Sequence, residues 1–265
     1  MTIASLRPAS RLSRRHMIAV ASGKGGVGKT WLAVTLAHAL ARLGHSTLLF
    51  DGDLGLANVD VQIGLKAARD LGGVINGQTS LRGAALAVRG CGFDVIAGAS
   101  GTGALALLPA PRVRKLADDL AGFAGGYDRA VIDIGAGLDR PVRMLAARAD
   151  TCLVVTTDEP TSLTDAYAFV KMMRMDGAAN EIGVVVNMAP SERDGERTYG
   201  TLAKACESFL DFRPPLLGLI RRDPKVPEAI RAQTPLLVRH PTCDAAADVM
   251  ALARKLLADA QADAR

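Results

Sequence analysis

With 265 residues, 49% of them hydrophobic and 22% charged, the chain can bury one large α/β core, and no apolar run approaches the ~20 residues of a membrane-spanning helix. A formal charge of +5 invites a nucleic-acid reading, but Arg7, Arg11, Arg14 and Arg15 lie in an acid-free stretch over residues 1–16, and without them the charge falls to +1. Cys91, Cys152, Cys206 and Cys243 contain no C-x-x-C pair, and His16, His38, His45 and His240 lack metal-ligand spacing, which excludes a disulfide framework and a cysteine or histidine metal centre.

Residues 1–16 are read as a solvated basic arm and residues 17–265 as one folded domain. Ser13-Arg-Arg-His-Met-Ile18 is a partial match to a twin-arginine export signal. The apolar run ends at Ser22, too soon for a secretory core, so the expected location is the cytoplasm. Met17–Ser22 has strand length and leads into Gly23-Lys-Gly-Gly-Val-Gly-Lys-Thr30, which fills G-x-x-x-x-G-K-[ST]. Gly23, Gly25, Gly26 and Gly28, with Val27 between them, let backbone N–H groups approach phosphate, and the following helix adds the positive end of its dipole. Lys29 is expected to neutralise the β and γ phosphates of a nucleotide, and Thr30 to ligate the bridging Mg²⁺. Trp31 opens a glycine-free helical stretch that runs to Arg42.

Further on, short apolar runs at 46–50, 93–96, 130–133, 153–156, 183–187 and 216–220 alternate with helical patterns near 104–122, 140–148, 161–175, 197–210 and 242–260. Several runs lack polar alternation, as strands buried on both faces do. The rhythm predicts a doubly wound, mostly parallel α/β sheet with ligands at the carboxyl ends of its strands. That rule gathers Asp51, Asp53 and Asp133 at the mouth of the phosphate loop, although a single such Asp is commonly a turn former or helix cap. Asn187, at another strand end, offers a donor and an acceptor to a base edge or caps the next element. Residues 66–92 give no clear pattern. Val249, Leu252, Ala253, Leu256, Leu257 and Ala260 form one face of the last helix, and the neighbouring Asp248, Asp259 and Asp263 offset Arg254, Lys255 and Arg265. The stripe is therefore read as core packing rather than a membrane-targeting helix.

Lys24-Gly-Gly-Val-Gly-Lys-Thr30 resembles the deviant Walker A motif of the MinD/ParA ATPases. The segments at 51–65, 97–101, 131–137, 156–167, 184–188 and 222–235 resemble, in the same order, those of the MinD-like FlhG/FleN flagellar regulators. The resemblance implies a P-loop ATPase using ATP and Mg²⁺. Asp133 would hold the metal through a water, Asp53 would position the attacking water, and Asp51 would be an outer-shell metal partner. Gly135 and Gly137 would form the hinge that senses the γ-phosphate, and Asn187 would read adenine. Lys24 would reach across an ATP-bound homodimer to the partner's nucleotide; the plainer reading is that it raises the loop's positive potential. The family usually has Asn where this chain has Trp31, and Pro where it has Arg221.

The function implied is an ATP-dependent dimerisation switch with slow hydrolysis that regulates flagellar number or placement. Its partners would be an FlhF-like GTPase, a switch-complex protein or a transcription activator, with peripheral attachment at the inner face of the membrane left open. Leu6-Arg7 retains the end of the branch's GTPase-activating motif, while Met1, Thr2 and Ile3 depart from it. The alternatives are a ParA-type partition ATPase binding DNA, a MinD-type septum regulator, and an ATP-binding scaffold without turnover. Acidic residues interspersed among Arg112, Arg114, Lys115, Arg221, Arg222 and Lys225 make DNA the less expected partner. No cysteine lies beside the 133–137 segment, which argues against an iron–sulfur reductase.

Overall fold

A computed structural model describes residues 16–98, 108–178 and 180–262. Residues 1–15 of the basic arm, with Leu6-Arg7, and residues 99–107, which include the start of the helical pattern expected over 104–122, lie outside the described residues.

In chain order the elements are β1 (Met17–Ser22), α1 (Lys29–Arg42), β2 (Thr47–Gly52), α2 (Val59–Ile63), α3 (Leu71–Ile75), α4 (Leu81–Ala84), β3 (Leu86–Ala87), β4 (Phe93–Ile96) and α5 (Ala110–Ala124). They continue with β5 (Arg129–Ala136), α6 (Arg140–Ala146), β6 (Thr151–Thr156), α7 (Pro160–Met175), β7 (Glu181–Ala189), α8 (Glu192–Leu210), β8 (Leu216–Arg221), α9 (Lys225–Arg231), α10 (Leu236–Arg239) and α11 (Asp244–Ala262). The sheet order is β3-β4-β2-β5-β1-β6-β7-β8, and every pairing is parallel except that of the two-residue β3 with β4.

Both sheet faces are covered, and the two-residue period of the strands divides their side chains between two cores. Leu48, Phe50, Ile132, Val154 and Val184 pack beneath α5, α6, α7 and α8. Leu49, Val131, Leu153 and Val185 pack against α1, α9, α10 and α11. This arrangement is why the strands read as unbroken apolar runs. The apolar stripe of α11 is core, with Val249, Leu252, Ala253, Leu256 and Ala260 buried and Leu257 half-buried.

β1 lies between the two halves of the sheet, where strand order diverges, and its carboxyl end releases the phosphate loop. The unreadable 66–92 stretch contains α3, α4 and β3. Asp70 caps α3 by accepting from Gly73 N at 2.9 Å, and Ser80 caps α4 by accepting from Gly83 N at 3.1 Å. Helices of five and four residues are too short to express a period. α8 begins at Glu192 rather than 197, because Ser191 Oγ accepts from Asp194 N at 3.1 Å.

His38 of α1 is buried beside Phe93. Burial and, second, the nearby Arg42 push its pKa down to about 4. The native ring stays neutral while an unfolded histidine binds a proton near pH 6.5, so this contribution to stability is complete above pH 6.5 and lost as pH falls towards 4. Urea midpoints should therefore fall over that interval. His38→Leu should flatten the fall, and an identical slope in the variant would contradict this assignment.

Candidate nucleotide-binding site

The phosphate loop joins β1 to α1. Gly28, the residue preceding α1, has φ +88°, a conformation that costs an L side chain roughly 1–2 kcal/mol. The first turn of α1 has no side-chain cap and no acidic residue, so its N–H groups are available to an anion. Gly23 answers a different constraint: a Cβ there would lie 2.2 Å from the Asp165 carbonyl oxygen, so α7 approaches the loop as closely as a bare backbone allows.

The expected carboxylates do converge here. Asp51 and Asp133 are in register on neighbouring strands, and a Cβ on Gly135 would meet Asp53 Oδ1 at 3.2 Å. Lys29 is only 8% exposed. Burial lowers its pKa, opposed by the charges of Asp133 and Asp53. Asp133 is fully buried, and its pKa is pushed up to about 8, first by burial and then by Asp51; a hydrogen bond from Thr30 and the charge of Lys29 oppose the shift. Burial also raises Asp51 to about 6, against hydrogen bonds from backbone amides. Asp51 and Asp133 repel one another across the two strands, and Asp133 Oδ1 is buried without a hydrogen-bond partner.

That orphaned oxygen, its hydrogen-bonding neighbour Thr30 and the repulsion between the two aspartates fit a hydrated Mg²⁺. Among the described residues no cluster of three His, Cys, Asp or Glu side chains forms a ready-made metal cage. Mg²⁺ does not need one, since it keeps waters and takes phosphate oxygens as ligands.

Asp51 and Asp53 also carry the turn-forming duty common to such residues, and Asn187 makes a contact of its own. Asp51 organises the loop after β2: Oδ1 accepts from Asp53 N at 3.2 Å, and Oδ2 accepts from Asn58 N and Val59 N at 3.2 and 3.1 Å. Asp53 Oδ1 accepts from Gly55 N at 3.1 Å and Leu56 N at 2.8 Å. Asn187, 2% exposed, donates one N–H to Val27 O at 2.8 Å, which ties β7 to the loop and leaves its second N–H and Oδ1 for a ligand. A cavity of about 520 Å³ opens beside it, lined by Trp31, Asn187, Met188, Arg221, Val226 and Ile230 among others. Its apolar walls and few polar groups suit a flat heterocycle.

Lys24 Nζ pairs with Glu159 and donates to Thr161 Oγ1 at 2.8 Å, both at the start of α7. The pairing holds the Glu159 carboxyl below its usual range. Glu159 was the missed partner. It follows the carboxyl end of β6, so the rule that gathered the three aspartates could have found it too. Gly137 N donates to Ser22 O at 3.0 Å, joining the end of β5 to the start of the phosphate loop.

Comparison with known proteins follows the same outline. The chain is 38% identical over 241 residues to the antiactivator FleN of Pseudomonas aeruginosa, a match covering 91% of this chain and 86% of that one. It is 31% identical to the flagellum site-determining protein YlxH of Helicobacter pylori, over 72% of this chain and 64% of that protein. The septum site-determining protein MinD complexed with Mg-ADP from Pyrococcus horikoshii superposes with a TM-score of 0.79 at 27% identity, over 95% of this chain and 99% of that one. Residues 18–236, from β1 to the start of α10, match the CobQ/CobB/MinD/ParA nucleotide binding domain, and the chain belongs to this family of P-loop ATPases.

Proposed function

We propose that the chain is an ATP-dependent dimerisation switch with slow hydrolysis, acting on flagellar number or placement. The observation that carries this reading is the placement of Lys29, Thr30, Asp53 and Asp133 around one loop mouth, with Lys24 one-third exposed beside it. Lys29 would neutralise the β and γ phosphates of ATP. Thr30 and, through a water, Asp133 would hold Mg²⁺, which would supply charge neutralisation to the transferring phosphoryl group. Asp53 would orient the attacking water, Asp51 would support the loop and the outer metal shell, and Asn187 would meet adenine. Phosphoryl transfer asks for positioning and electrostatics, so few groups suffice for slow turnover.

Lys24 would exchange partners. In the single chain it is held by Glu159, itself 62% exposed, and exposed pairs contribute only about 0–1 kcal/mol. Release is therefore cheap compared with a charge-assisted contact to a second subunit's nucleotide, and loss of the γ-phosphate would return the side chain to α7. The flagellar reading rests on the FleN and YlxH relatives. An antiactivator acts on an activator, which favours a transcription activator among the three partner types. Deleting the gene should change flagellar number or position. Normal flagella with minicells would favour septum placement instead.

A further inference from the structure

We infer that Arg221 is a positioning residue for the base-binding wall of the site, holding the β8–α9 loop on α11 through Asp248. This inference rests on the reading of the 520 Å³ cavity as the base site. The Arg221 N–H donates to Asp248 Oδ2 at 2.9 Å. Its side chain adds Nε to Oδ2 at 3.0 Å, Nη2 to Oδ1 at 2.7 Å, and Nη1 to Asp244 Oδ1 at 3.0 Å. Asp248 is 13% exposed and Arg221 33%, so the fork is only partly shielded from the screening that weakens surface pairs, and its bidentate geometry adds what burial does not. Asp244 and Asp248 are four residues apart and share one helix face.

The neighbouring residues make the same connection. Asp223 Oδ2 accepts from Ala245 N at 3.2 Å, while Arg222 N donates to Ala189 O at 2.8 Å and extends the β7–β8 ladder past Asn187. The loop from 221 to 223 thus hangs between β7 and the first turns of α11. α11 also packs along α1, whose first turn supplies Lys29, Thr30 and Trp31. The two sides of the cavity therefore share one support, and Arg221 is its fastening on the base side. Removing the fork frees the wall without touching the phosphate loop.

The test compares Mg-ATP with Mg-tripolyphosphate, which occupies the phosphate loop and has no base, by calorimetry on the full chain. Arg221→Ala should weaken Mg-ATP about tenfold, the scale of a coupled pair, and leave tripolyphosphate within about twofold. Asp248→Asn should act in the same direction. Arg221→Lys keeps the charge but not the fork, so it should fall between wild type and Arg221→Ala while keeping the fold. Unchanged ATP affinity in Arg221→Ala, or equal losses for both ligands, would overturn the positioning role. Wild-type protein that binds tripolyphosphate as tightly as ATP would instead remove the base cavity on which the role depends.

Discussion

Lys29→Ala is expected to lose ATP binding by about 100-fold or more. The charge of this side chain acts on Asp133, those of Asp53 and Asp133 act on it in turn, and it is nearly buried. Its removal takes away the charge-assisted contacts to the β and γ phosphates, and hydrogen bonds to charged groups contribute about 1.5–3 kcal/mol each, so two of them reach at least about 3 kcal/mol. Three kilocalories correspond to roughly two decades in dissociation constant. Calorimetric titration with Mg-ATP checks this, and an affinity within about threefold of wild type would show that Lys29 does not face the phosphates.

Asp53→Ala should produce the second large effect, this time on turnover. ATP affinity should persist while the hydrolysis rate falls by about 100-fold, the usual scale for losing a group that orients or deprotonates a nucleophile. Alanine also removes the acceptor for the Gly55 and Leu56 amides, so slower turnover alone could reflect a loosened loop. Asp53→Asn separates the two causes: the amide oxygen keeps both hydrogen bonds, and only the charge disappears. Equal loss in both variants, measured by phosphate release, assigns the effect to the carboxylate. Wild-type turnover in Asp53→Asn would contradict the assigned role.

Much of this architecture is legible in the sequence because it rests on local rules. Strands buried on both faces must be continuously apolar, so β1, β2 and β4 to β8 stand out, and the phosphate loop needs its glycines wherever it occurs. The sheet-end rule then gathers Asp51, Asp53 and Asp133 without any structure. What escapes is set by contacts between distant segments. The sheet-end rule reaches Glu159, but nothing in the sequence pairs it with Lys24, 135 residues away, and nothing near Arg221 announces Asp248 on the last helix. α10 escapes for the reason that α3 and α4 do, four residues being too few for a period to emerge, while α9, as long as α6, carries Pro227 inside it and reads as a breaker. Asn187 stands out at a strand end, but its bond to Val27 O depends on the close approach of β7 to the phosphate loop.

The switch itself is tested most directly by the mass of the protein in solution, measured by light scattering behind a sizing column, for wild type and Lys24→Ala in Mg-ATP and in Mg-ADP. The expected result is a wild-type dimer in Mg-ATP, a wild-type monomer in Mg-ADP, and a Lys24→Ala protein that binds ATP and stays monomeric in both. Dimerisation of Lys24→Ala with ATP to the wild-type extent, or a wild-type mass that ignores the γ-phosphate, would contradict the account.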